Sequence, residues 1–232
     1  FDEISKILFI KMYIERTGDW GKFTTDYIDQ RAATRLPSDP TVMEGLFDST
    51  RKHYQADDLF AANDRLDVSA STFRRIVKKL ERFNLSTTSD DVKGIAFEKF
   101  LGQTFRGELG QYFTPRPIVD FAVAMLDPAE GDVLCDPAAG SGGFLIRVFE
   151  YVRDKIEHDI QRQKDARRAE IEAQSLPEDQ ETAAINAAFA DLNTQLEVQT
   201  PGTRLYALAH DCIFGTDAEP RAARTSKMNM IM

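Results

Sequence analysis

The stretch Val133-Leu134-Cys135-Asp136-Pro137-Ala138-Ala139-Gly140-Ser141-Gly142-Gly143-Phe144-Leu145 decides the architecture of this chain. Val133-Leu134-Cys135 is a short apolar run that reads as a buried strand. Phe144, Leu145, Val148, Phe149 and Val152 then recur at helical spacing. Between the two lies a glycine-rich loop. Strand, glycine-rich loop, helix is the opening unit of a doubly wound α/β sheet. Glycines let a backbone approach a ligand closely, and the helix that follows presents unpaired N–H groups and a positive dipole end to an anion. The pattern predicts a nucleotide-like ligand, and the alternative is a tight strand-to-helix turn with no ligand.

Its details exclude two common relatives. A dinucleotide fingerprint with glycines at 140 and 142 needs a small residue at 145, where Leu145 stands. It also wants an acid about 20 residues on at a strand end, but Glu157 and Asp159 fall in a helical stretch. A phosphate-binding P-loop fails because no Gly-Lys-Ser/Thr follows. The better acid is Asp217. It ends a second strand expected over Leu205 to Phe214, in Gly215-Thr216-Asp217-Ala218-Glu219-Pro220. A carboxylate there can accept both ribose hydroxyls of a nucleoside.

Working outward, residues 106–126 hold glycines at 107 and 110. Thr114-Pro115 then reads as a helix cap and first-turn proline, with Ile118, Val119, Ala122 and Leu126 as the buried face and Pro128 and Gly131 as the end. Residues 1–105 read as a helical domain. Ile4, Ile7, Leu8, Ile10 and Ile14 form an apolar stripe, with Lys6, Lys11 and Glu15 expected on the other side. Gly18 to Pro40 shows little period. Ser69 to Phe83 is the cleanest helix: Phe73, Ile76, Val77, Leu80 and Phe83 line one face, and Ser69 or Ser71 caps it. A further helix is expected from Asp90-Asp91, turning Phe97, Phe100 and Leu101 inward. Residues 153–200 are charged and lack glycine, which predicts two helices turning near Ser175-Leu176-Pro177, a hairpin that is either a solvated decoration or a contact surface for a partner. Residues 221–232 read as the start of another helix.

The 232 residues are 42% hydrophobic and 29% charged, a globular composition. Twenty-nine basic residues against 38 acidic ones give a net charge of −9, which argues against a chain that grips nucleic acid by itself and leaves room for a local basic surface. The candidate for such a surface is the stripe Arg74, Arg75, Lys78, Lys79 and Arg82, which is otherwise a solvated helix face. No apolar run reaches the roughly 18 residues of a membrane span, and the acidic start Phe1-Asp2-Glu3-Ile4 does not resemble a signal peptide. Cys135 and Cys212, in strand-like runs, are expected to be buried inert thiols in a reducing cytoplasm. His53, His158 and His210 have no metal-ligand spacing, so no metal is expected.

Asp136-Pro137-Ala138-Ala139-Gly140-Ser141-Gly142-Gly143-Phe144 resembles the cofactor motif of S-adenosylmethionine-dependent DNA adenine-N6 methyltransferases, and Gly110-Gln111-Tyr112-Phe113-Thr114-Pro115-Arg116-Pro117 resembles the segment preceding it in that group. With the helical amino-terminal domain, the whole resembles the modification subunit of a type I restriction–modification system. The resemblance implies that Gln111, Tyr112, Phe113, Thr114, Pro115 and Arg116 lie over S-adenosylmethionine. It implies that Asp136 and the backbone of Ala138, Gly140, Ser141, Gly142 and Gly143 hold its methionine end, and that Asp217 binds its ribose with Glu219 as a neighbour. It implies methylation of adenine N6 in duplex DNA, with a specificity subunit and a restriction subunit as partners and no membrane.

One departure matters. The family works at an Asn/Asp-Pro-Pro-aromatic motif that grips the flipped adenine, and no such motif occurs between Phe1 and Met232. The expectation is therefore an α/β chain with a helical domain at 1–105 and, at 106–232, an incomplete doubly wound, Rossmann-like methyltransferase domain carrying a helical insertion at 153–200. No catalytic residue is expected within it, and the motif is expected past Met232. A methyltransferase acting on protein or small molecules, and a methyltransferase-like fold serving as an assembly scaffold, are the alternatives.

Overall fold

The computed structural model describes residues 2–57, 59–86 and 114–231. The helix expected from Asp90, the Gly107–Gly110 loop, and Gln111, Tyr112 and Phe113 lie outside the described residues. The chain divides into two compact units, residues 1–112 with 231–232 and residues 113–230.

In the first unit, α1 (Asp2–Arg16) is the central element. Ile7, Phe9, Ile10, Met12 and Ile14 are buried, but so are Lys6, Lys11 and Glu15, at 3–4% exposure. The solvated face expected for those three does not exist, because other segments cover it and supply partners. Lys6 Nζ donates to Glu3 Oε1 (2.8 Å) and to the Arg65 carbonyl (2.7 Å). Lys11 pairs with Glu15 at 2.8 Å, and the Glu15 carboxylate accepts the Leu85 and Ser86 N–H groups. Buried charge is tolerable when paired and hydrogen-bonded in this way. Phe9 packs edge-on against Tyr54 and Phe60.

The 18–40 stretch is also more regular than its composition suggests. It holds a 3₁₀ turn (Trp20–Phe23) and α2 (Thr25–Thr34), which Thr24 caps through the Tyr27 N–H. Of α2, only Ile28 is buried, so little periodic signal exists to detect. α3 (Val42–His53) opens with a capping box between Thr41 and Glu44. α4 (Ala70–Leu80) is capped by Ser69 and buries Phe73 and Val77. Phe83 lies past its end and is 50% exposed rather than on the buried face.

The second unit is helix-rich around a small parallel sheet. α5 (Arg116–Leu126) starts from Pro115, with no side-chain cap from Thr114, and ends at Asp127, whose φ of 48° stops the helix. Val119 and Val123 are its buried residues; Ile118 and Leu126, expected inside, are exposed. β1 (Leu134–Asp136) pairs in parallel with β2 (Ile213–Gly215), Asp136 opposite Gly215. Leu134 and Ile213 pack against Val119, Val123 and Val148. Successive side chains alternate between sheet faces, and Cys135 and Phe214 are exposed. Cys135 is thus not the buried thiol its strand-like run suggests, whereas Cys212 is buried. Val133, outside β1, is 70% exposed.

α6 (Gly143–Glu172) is a single helix running from the glycine loop deep into the charged segment. It turns at 173–177, where Ser175 has φ +50°, into α7 (Glu178–Thr194), which has no buried residue. The hairpin is the one expected, except that its first arm begins at the loop itself. The strand expected from Leu205 is mostly helical: α8 (Arg204–Ala207) continues into a π turn (Leu208–Cys212), and only Ile213–Gly215 is extended. Leu205, Leu208 and Cys212 are spaced three and four apart, and they pack together on Val152, Ile156 and Ile160 of α6. α9 (Pro220–Ile231) closes the unit.

Candidate functional site

The parallel pairing brings the carboxyl ends of β1 and β2 side by side, and both sequence-predicted acids sit there. In open α/β sheets this is where ligands bind. Asp136 ends β1, and its Oδ1 accepts the Ala138 N–H at 3.0 Å, which starts the turn. Two backbone bonds extend the ladder past the strands: Thr216 N donates to the Asp136 carbonyl, and Ala139 N donates to the Thr216 carbonyl, each at 2.9 Å. The loop then folds on itself through Gly142 N to the Ala139 carbonyl (2.7 Å), with Gly140 and Gly142 at positive φ.

Asp217 closes the arrangement. Its Oδ2 accepts the Gly140 N–H at 2.8 Å and its Oδ1 accepts the Glu219 N–H at 2.9 Å. A carboxylate has about four acceptor positions, so the side chain keeps capacity for further donors. α6 starts at Gly143 with no side-chain cap, which leaves its first-turn amides and its positive dipole end available. Gly143 is exposed, and a side chain there would meet nothing within 4 Å.

The roles of the glycines differ. A Cβ at Gly142 would lie 2.7 Å from Ser226 Oγ, and one at Gly215 would lie 2.4 Å from Leu145 Cδ1. Gly142 therefore permits α9 to pack on the loop, whereas the atom nearest Gly215 is the far end of the flexible Leu145 side chain. The α9 contact lies outside what the sequence reading anticipated. Asn229 Nδ2 donates to the Ser141 carbonyl at 2.7 Å, while its buried Oδ1 has no partner among the described residues. Ser226 and Asn229, three apart on α9, are the only signal that could have pointed to it.

Thr114, Pro115 and Arg116 stand at the start of α5. An apolar cavity of about 260 Å³ lies beside β1, lined by Ala122, Val123, Leu134, Asp136, Phe144 and Ile213 among others. Among the described residues no cluster of His, Cys, Asp or Glu could hold a metal ion, and no helix is long and apolar enough to cross a membrane.

Comparison with known proteins bears on what the site is for. The family model described as N-6 DNA Methylase matches residues 88–232. The methylase subunit of the type I restriction enzyme EcoEI from Escherichia coli is 32% identical over 88 residues, 37% of this chain and 18% of that protein. The EcoKI methylase subunit from E. coli K12 is 35% identical over 94 residues, 38% of this chain and 18% of the relative. The HindI methylase subunit from Haemophilus influenzae is 43% identical over 65 residues, 27% of this chain and 14% of the relative. The aligned stretches thus span less than a fifth of each relative's length.

Proposed function

Because this chain belongs to the N-6 DNA Methylase family, we propose that it is part of an S-adenosylmethionine-dependent DNA adenine-N6 methyltransferase, the modification subunit of a type I restriction–modification complex. Residues 106–232 then belong to a doubly wound, Rossmann-like methyltransferase domain, and residues 1–105 are a helical domain preceding it. The likeness to methylase subunits of type I restriction enzymes supports a multisubunit complex as context; a specificity subunit to choose the DNA site, a restriction subunit as third component and the cytoplasm as compartment belong to the same proposal.

The observation that carries the reading is the Asp217-to-Gly140 bond, which clamps a glycine loop over the paired ends of two parallel strands. The groups present suit the cofactor. Asp217 and Asp136 offer carboxylate acceptors to ribose hydroxyls and to an ammonium group, and the uncapped start of α6 suits the methionine carboxylate. Tyr112 and Phe113 would add apolar surface, with Gln111 and Thr114 as polar neighbours. When bound, the cofactor supplies an electrophilic methyl group. The part of these residues is to hold the cofactor; gripping the adenine amine would fall to an Asn/Asp-Pro-Pro-aromatic motif, which the 232 residues do not contain.

Calorimetric titration of the chain with S-adenosylmethionine tests the assignment. Saturable binding that Asp217→Ala weakens is the expected result. Absence of binding by a folded chain would overturn it.

A further inference from the structure

We propose that the exposed face of α4 formed by Arg75, Lys78 and Lys79 is a nucleic-acid contact that binds the phosphate backbone of duplex DNA. The inference rests on the DNA substrate of the reading above but concerns a different unit and a surface remote in sequence from the glycine loop.

The three side chains are exposed and fall at i, i+3 and i+4, opposite buried Phe73 and Val77. Among the described residues none of them has a carboxylate partner. Several other surface cations do have one: Lys22 sits on Asp19, Lys52 on Asp48, Lys155 on Asp127 and Arg167 on Glu170. Within α4 itself, Arg74 is held by a two-point contact to Asp29. Arg82, exposed just past the helix, lies over the Phe83 ring and extends the positive face.

The arrangement is unfavourable for the isolated helix. Arg74 with Lys78, Arg75 with Lys79 and Lys78 with Arg82 are like charges four apart, which repel. The helix C-terminus offsets part of this for Lys78 and Lys79; no acid is interleaved within Ala70–Leu80, and the next one, Glu81, has its carboxylate on the Thr25 N–H and hydroxyl. An anionic partner would relieve it.

Charge is also distributed so that DNA can approach here. Residues 1–112 hold 17 basic and 18 acidic side chains, whereas residues 113–232 hold 12 and 20. The net acidity of the chain therefore lies almost wholly outside the helical unit. From Arg75 to Lys79 the helix rises about 6 Å at 1.5 Å per residue, which matches roughly two nucleotides of one strand at 3.4 Å each. Flexible lysine and arginine heads on that scale suit adjacent phosphates and read no sequence.

The test is duplex DNA binding by the full 232-residue chain, followed by fluorescence anisotropy from low to moderate salt. Arg75→Gln/Lys78→Gln/Lys79→Gln is compared with the parent and with Lys52→Gln, which removes a carboxylate-paired cation. The triple variant relieves repulsion, so its melting temperature should not fall. Its affinity should drop alike for unrelated sequences, and the slope of log affinity against log salt should flatten by about 2–3, at roughly 0.9 per phosphate contact. Lys52→Gln should keep the parental slope. A parent that does not bind duplex at low salt, a triple variant with the parental slope, or loss of binding to phosphatidylserine vesicles without loss on DNA would each overturn the proposal. Cofactor titration of the same variant separates the two readings: intact S-adenosylmethionine binding with an unchanged salt slope refutes this face alone, and a flattened slope without cofactor binding refutes the methyltransferase reading alone.

Discussion

The carboxylate of Asp217 lies 2.8 Å from the backbone nitrogen of Gly140, 77 residues earlier in the chain. A side chain at the end of β2 therefore sets the conformation of the loop that leaves β1. The same residue can serve a ligand only while it holds that loop, so effects on binding and on loop geometry are coupled. Substitutions at 217 separate them.

Asp217→Ala removes both acceptors, whereas Asp217→Asn keeps one for the Gly140 amide and loses the charge. S-adenosylmethionine affinity should fall by roughly 1.5–3 kcal/mol in the alanine variant, the range for hydrogen bonds to a charged group, and by less in the asparagine variant. Calorimetric titration measures both. Equal affinity in Asp217→Ala and the parent sinks the assignment of this acid.

Gly142 has φ +86° and no room for a side chain beside Ser226. Gly142→Ala should cost about 1–3 kcal/mol from backbone strain alone, with the collision added. A second substitution, Ser226→Gly, removes the nearest atom and should recover the collision part but not the strain. Urea denaturation of both variants reads the difference; a Gly142→Ala protein as stable as the parent would contradict the packing of α9 on the loop.

Lys11 and Glu15 form an ion pair whose side chains are only 4% and 1% exposed. Deleting one partner leaves a buried charge uncompensated, at about 3–5 kcal/mol. Glu15→Leu should sit at the upper end, because Leu85 and Ser86 also lose their acceptor. Lys11→Met should cost less, since those two amides still stabilise the carboxylate. The double variant should cost well under the sum, and strictly additive losses in chemical denaturation would argue against the pair.

The Asp159 carboxyl is held below its ordinary value of 3.8, first by the Arg204 guanidinium and then by the Gln163 amide. A depressed folded-state value stabilises the fold above the ordinary carboxylate range, and that contribution disappears as pH falls through the depressed value. The advantage of the parent over Asp159→Asn should therefore be present near pH 7 and vanish in strong acid. Melting curves that stay parallel across pH 7 to 2 would show that the contact adds nothing.

The 232 residues contain no Asn/Asp-Pro-Pro-aromatic run to grip an adenine amine. Incubated alone with labelled S-adenosylmethionine and unmethylated duplex, the chain should transfer no methyl group. Incorporation of label into adenine would show that another group performs that task.

Much of the second unit could be read without coordinates. The glycine loop, the helix after it, the turn near Ser175 and the position of Asp217 just past the second strand all follow from local spacing and from residue chemistry at a strand end. The helical unit was less readable. α2 buries only Ile28, and the Thr41–Glu44 capping box that opens α3 was a usable signal that periodicity alone passes over.

Local pattern specified several of the helices, where the loop turns and which acid stands near it, because backbone preferences act over a few residues. What surrounds each element was settled only by contacts made across tens of residues. α1 reads as amphipathic, yet Lys6 and Glu15 are buried because Arg65, Leu85 and Ser86 come to meet them. Leu205 to Cys212 reads as strand, yet coils because α6 offers a surface to residues three and four apart. Cys135 reads as buried, yet is exposed because only the Leu134 side of the sheet is packed among the described residues. Burial is a property of pairs distant in sequence, and a single chain pattern records only one member of each pair.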